Sequence, residues 1–315
     1  MRDQQSDELK KRVVEWLENQ GYPLEFLTAA AFEHEHFDVR PSQYEPDPQT
    51  GVPREVDVLA MLTMDRSTSS NGPRFIRIEY AVECKYTRDK PWVAFASKGT
   101  QMAPSARITQ TMASPLGEAI TWTLAGDAEL QELDTFHAPE RPAFGGRQVF
   151  GKEQDAFYST VQSIVSAARA VADSYNEEPD DPLSESLRFG VIVLPLIVIE
   201  GELFESWLDT GTGKIVVEKN SHLRLHWRGS EYHPPVATVD IVTAEYLPKF
   251  VELRRRESSL LLRRMFECAE QIDRCALQRT LRGLSITSGA RGIRGLPPLL
   301  QRIKAEGDEG VQLVD

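Results

Sequence analysis

Three residues in the first hundred could do chemistry together. The stretch Arg54 to Met64 carries Asp57 inside an apolar run, and Phe75 to Tyr86 ends in Glu83-Cys84-Lys85. Both stretches are rich in β-branched and apolar residues and read as strands. Alternate residues of a strand share a face, so Glu83 and Lys85 point the same way. Pairing of the two stretches would bring Asp57 beside them. Mg²⁺ takes one or two carboxylates together with waters and phosphate oxygens. A lysine adds positive charge near an attacking water or the phosphate. Such a set suits metal-assisted hydrolysis of a phosphodiester. The alternative is the exposed face of an edge strand, where the same charges are only solvated. Glu-x-Lys is a weak signal by itself: Glu8 and Lys10 repeat it within a helical pattern, as solvated surface.

These residues need elements to hold them. A helix over Ser6–Gln20 opens the chain, capped by Ser6, with Leu9, Val13, Trp16 and Leu17 at helical spacing. Gly21 ends it. Pro23 fits the first turn of a second helix, Leu24–His36. Its segment Phe26 to Phe32 is apolar except at Thr28, which predicts burial on most sides. Glu25 lies in the first turn, and two roles stand open for it. One is favourable interaction with the helix N-terminus, up to ~1 kcal/mol. The other is a third carboxylate facing the site. Glu33 and Glu35 are alternatives in polar last turns, where solvated surface is the expectation. Phe37–Tyr44 reads as a strand that Pro41 makes irregular or puts at an edge. With the strands of Asp57 and Glu83, the order is helix, strand, strand, strand.

Residues 98–152 read as an insertion. Ser97–Pro115 and Glu140–Gly151 are rich in turn residues and read as loops around a helix at Leu116–Leu133. A stretch of that length has a job or a small fold of its own. Gln154–Tyr175 is a helix with Phe157, Val161, Ile164, Val165, Ala168 and Val171 as its buried stripe. Phe189–Ile199 is a fully buried strand, with a bulge or an unpaired position at Pro195. Lys214–Glu218, His222–Trp227 and Val236–Val242 are further strands. His222 and His226 would share a face, with His233 nearby. Three histidines could bind zinc, but no cysteine or spaced acid joins them, and surface positions are expected. Thr243–Leu281 is helical and basic from Arg254: a DNA-facing helix, a dimer helix, or a solvated face. The expected organisation is a main domain over 1–242, with its insertion, and an arginine-rich helical extension over 243–315.

The totals set bounds. The chain has 315 residues, 41% of them hydrophobic, enough for a sizeable core. Its net charge of −12 works against broad contact with phosphates, which favours basic surface. Its arginines, however, concentrate between Arg254 and Arg294. The cysteines Cys84, Cys268 and Cys275 form no Cys-x-x-Cys pair and no disulfide framework. Met1 to Lys11 is charged and does not read as a signal peptide. Phe189–Ile199, the longest apolar run, is too short to span a bilayer. A reducing, cytoplasmic setting without membrane contact is the expectation.

Asp57, then Glu83-Cys84-Lys85 on the next strand, after a helix bearing Glu25, resembles the PD-(D/E)xK superfamily of restriction-endonuclease-like nucleases. The fold that this resemblance implies is α/β: a helix, three strands, a helix and a strand around a mixed sheet. Here it would run from Leu24 to Ile199. One departure is that Val56 stands where the family's nominal proline precedes the aspartate. The resemblance implies that Asp57 and Glu83 bind Mg²⁺ or Mn²⁺, with the backbone carbonyl of Cys84 as a further ligand. Glu25 would act through a bound water, and Lys85 would position or activate the attacking water. It implies a metal-dependent endonuclease acting on nucleic acid, DNA foremost, in defence or repair, that leaves 5′-phosphate ends. The alternative is a catalytically silent module that uses the fold to bind nucleic acid or a protein. A third reading is a subunit that forms a homodimer through its basic C-terminal helix.

Overall fold

The computed structural model describes residues 2–19, 21–46, 51, 53–66, 74–87, 90–100, 102–150, 156–175, 189–228 and 236–278. Helices α1 (Arg2–Asn19) and α2 (Tyr22–His34) lead into strands β1 (Asp38–Pro46), β2 (Pro53–Arg66) and β3 (Arg74–Tyr86). Then come β4 (Trp92–Ala96), α3 (Pro104–Thr109), β5 (Met112–Ala113), α4 (Pro115–Leu124), α5 (Ala128–Gln131) and β6 (Ala143–Gln148). Helix α6 (Ala156–Ser174) precedes β7 (Phe189–Glu200), β8 (Leu203–Asp209), β9 (Lys214–Asn220), β10 (His222–Arg228) and β11 (Val236–Thr243), and α7 (Leu247–Leu277) follows. The result is an α/β architecture on one large mixed sheet. Its order is β1-β2-β3-β7-β11-β10-β6-β4-β8-β9, and β5 pairs with β7 off that path.

Strand alternation divides the apolar side chains between two cores. Val58, Ala60, Ile76, Ile78, Tyr80 and Val82 join residues of α2, α4 and α7 on one face. Leu59, Met61 and Ala81 join Ile164, Val165 and Ala168 of α6 on the other. Covered on both faces, β7 reads as an unbroken apolar run. One edge of β7 pairs with β3 throughout. On the other edge β5 takes residues 192–193 and β11 takes 196–199. Pro195 falls between those two partners and is unpaired on that edge, as the sequence led us to expect, but on the β3 edge it stands opposite Ala81 with no bulge. Pro41 lies on β1, at one edge of the sheet.

The β3–β7 ladder ends at Tyr86 and Glu200, bends, and resumes as β4–β8 from Trp92 and Leu203. Thr87 and Trp92 donate their amides across the bend to the carbonyls of Glu200 and Glu202, both at 2.9 Å. Gly201 sits so tightly on Thr87 that a Cβ would overlap the threonine hydroxyl.

Several sequence expectations are corrected. The first helix begins before Ser6, which therefore does not cap it. On α2 only Leu24, Thr28 and Phe32 are buried, four residues apart, while Phe26 and Leu27 are more than half exposed. The segments expected as loops contain α3, β5 and β6, and the helix expected over Leu116–Leu133 is two, α4 and α5. Pro104 starts α3, and Ser114 caps α4 by accepting the Gly117 amide. Gly146 marks close packing rather than a turn, since a Cβ there would lie 2.5 Å from the Phe157 ring.

Helix α7 buries Phe250, Val251, Leu262, Met265 and Phe266 in the same core as α2 and the sheet. Several of its arginines meet acids and carbonyls of this chain. Arg254 is buried against Asp134 (2.9 Å) and Glu257 (2.8 Å), Arg264 pairs with Asp127 and Glu129, and Arg255 donates to the Glu35 carbonyl. His233 and the arginines from Arg279 to Arg294 lie outside the described residues. Among the described residues no helix is long and apolar enough to cross a membrane.

Candidate active site

The site begins where two strands part. β2 and β3 pair from Arg66↔Arg74 down to Val58↔Val82. Below that point β2 goes on pairing with β1, and β3 with β7, but not with each other. The sheet is forked there. Asp57 is the first residue of β2 inside the fork. Its Oδ2 accepts the backbone amide of Cys84 at 2.7 Å, replacing the ladder bond that β2 no longer supplies. Opposite Asp57 on β1, Ser42 is held at φ 49°, a backbone conformation uncommon for a residue with a side chain.

Glu83 and Lys85 lie on the other prong. Lys85 Nζ stands 2.6 Å from Glu83 Oε1; the glutamate is buried and the lysine half-buried. Burial opposes the lysine's charge, but Glu83 and Asp57 outweigh it and raise its pKa. Burial also raises the pKa of Glu83, further raised by Asp57 and opposed by Lys85. Asp57 is raised by burial as well, against the Cys84 amide and Lys85, which favour its charged form. The Cys84 thiol lies 3.5 Å from the Thr28 hydroxyl on α2, and burial pushes its pKa up. The charges of Asp57, Glu25 and Glu83 add to that rise, so the thiol borders the acids that its backbone amide joins.

Glu25 lies in the first turn of α2 and is half-buried. Burial, then the charges of Asp57 and Glu55, lift its pKa from 4.5 to about 7, with Lys85 opposing and Glu83 adding. Glu25, Asp57, Glu83 and Lys85 therefore share one electrostatic neighbourhood. Glu33 and Glu35 do not belong to it: Glu33 is exposed, and Glu35 contacts His34 at 3.1 Å.

Glu55 is the acid that sequence reasoning passed over. It stands two residues before Asp57 on β2 and opposite Tyr44 of β1, whose hydroxyl bonds to it. The signal was the alternation Glu55-x-Asp57, legible once the strand is granted. Glu79 belongs to a different cluster. Fully buried on β3, it accepts the Tyr175 hydroxyl at 2.6 Å and Arg77 at 3.2 Å. Of the histidines considered for zinc, His233 lies outside the described residues, and His226 is buried within β10 rather than at the surface that the sequence suggested. His222 bonds to Asp240 at 2.9 Å, and among the described residues no three His, Cys, Asp or Glu side chains are grouped to hold an ion as they lie.

The donor set at the fork nonetheless has the chemistry of a hard-cation site. Its donors are oxygens, and its three carboxylates resist ionisation through burial and mutual repulsion, both of which a cation would relieve. No family model, curated protein or solved structure matches the chain.

Proposed function

We propose that the fork is the active site of a metal-dependent nuclease of the PD-(D/E)xK type, acting on DNA. The observation that carries this reading is that Asp57 on β2 and Glu83 and Lys85 on β3 flank the point where those strands part, with Glu25 of α2 coupled to them electrostatically. The sequence of elements α2, β1, β2, β3, α6, β7, with β3 and β7 parallel, supports a restriction-endonuclease-like core.

Asp57 and Glu83 would hold Mg²⁺ or Mn²⁺ together with the carbonyl of Cys84, and Glu25 would reach it through a water. When bound, such an ion acidifies water and neutralises phosphate charge. The remaining work falls to the chain. The Cys84 amide keeps the Asp57 carboxylate aimed into the fork. Lys85, held by Glu83, presents an ammonium group that can orient a water or bind a phosphate oxygen as negative charge develops there. Glu25, with a pKa of about 7, can exchange a proton near neutral pH.

A second reading is a silent module that binds nucleic acid or a protein. It is favoured by one observation: Lys85 closes on Glu83 while the acids are not grouped around a common point. Incubation of DNA and RNA with Mg²⁺ or Mn²⁺ separates the two. The nuclease reading expects DNA cleavage with 5′-phosphate ends, reduced about 100-fold or more by Asp57→Ala and by Lys85→Ala. Cleavage that survives both substitutions would remove the fork from the chemistry. Tight binding without cleavage would support the silent module.

A further inference from the structure

Strand β9 forms one end of the sheet, and among the described residues nothing pairs with its outer edge. An uncovered edge is a template for another strand, and natural proteins blunt it with charge, proline or a covering segment. Here the edge reads Lys-Ile-Val-Val-Glu over 214–218. Ile215 and Val217 are 75% and 55% exposed, and Leu208, opposite Ile215 on β8, is 58% exposed. These three share one face of the sheet.

The strand is self-complementary. If a second β9 runs antiparallel about a two-fold axis at Val216, Val216 faces Val216 of the other copy. Ile215 then faces Val217, and Lys214 faces Glu218, each pair occurring twice. Opposite charges and β-branched pairs directly across a ladder are stabilising. Within its own chain Glu218 stands opposite Glu205, a like charge, so a lysine from a second copy improves its surroundings. Lys219, the other cation of the strand, is already held by Glu202 at 2.7 Å, and in this register it faces Gly213 rather than another charge. We infer that two copies of this chain join through β9 in that register, extending the sheet across a two-fold axis and merging the Leu208, Ile215 and Val217 faces. Such an isologous interface closes on itself and needs only one self-complementary patch.

The test is the association of the full chain, followed by sedimentation over a concentration series. Wild type should dimerise reversibly. Lys214→Glu places glutamates opposite each other at both pairs, and Glu218→Lys places lysines there; each should weaken association at least about tenfold. The double swap should restore it, because the pairs reform with reversed sign. Mixing the two single variants should also restore it, since each supplies what the other lacks. The last two arms separate interface failure from misfolding. A monomeric wild type, a dimer indifferent to both single swaps, or no recovery in the double swap and the mixture would each overturn the proposal.

Discussion

Glu25 binds its proton more tightly in the folded chain than in the unfolded one, with a pKa near 7 against an ordinary 4.5. Stability of the metal-free protein should therefore fall as pH rises between those two values. Glu25→Gln removes that loss. Its melting temperature in chelator should exceed that of wild type above pH 7 and match it near pH 4; identical curves at both would contradict the burial and crowding described for this acid. Asp57, Glu83 and Lys85 were legible in the sequence because acids and a lysine within largely apolar strands are uncommon without partners. Glu55 was not singled out: an exposed glutamate has an ordinary place on any strand, and only its pairing opposite Tyr44 gives it company. The Asp57–Cys84 bond was beyond reach, since it depends on where two strands stop pairing.

Between elements, one junction is ionic. Asp240 of β11 accepts from Arg224 of β10 (2.7 Å) and His222 (2.9 Å), and it lies 3.5 Å from Arg254 of α7. Arg224 and Arg254 also bind Asp134 in the segment after α5. Burial alone would raise the pKa of Asp240, but the charges of Arg224 and Arg254 outweigh it and hold it well below the usual carboxylate value. Its contribution is thus complete above pH 3.8 and lost as pH falls through its own lower pKa. Asp240→Asn should cost about 3 kcal/mol in urea denaturation at neutral pH, with the deficit shrinking at acid pH. An absent deficit would show that the junction adds nothing, and a constant one that the charge of Asp240 is not what stabilises it. From sequence, α7 read as a basic helix turned toward DNA, a second copy or solvent. Charge counts along one helix cannot reveal acids brought to it from β11 and from residues 127–134.

Across the whole molecule, the first three strands, α6 and β7 were legible from β-branched and apolar runs and from helical spacing, because those are local properties of the chain. The 98–152 region did not. Its glycines and prolines read as turn signals, yet Gly146 serves close approach of β6 to Phe157, and Pro104 starts a helix. The bent continuation of β3–β7 into β4–β8 is likewise a property of two distant segments at once.

On our reading, the forked strands and α2 create one site for a hard cation. Calorimetric titration of Mn²⁺ into the metal-free chain decides whether they do, with Asp57→Asn and Lys85→Met beside the wild type. We predict one ion per chain, affinity at least about tenfold weaker in Asp57→Asn, and binding retained in Lys85→Met, where Glu83 is freed from its ion pair. No binding by the wild type, or equal binding by Asp57→Asn, would contradict that reading.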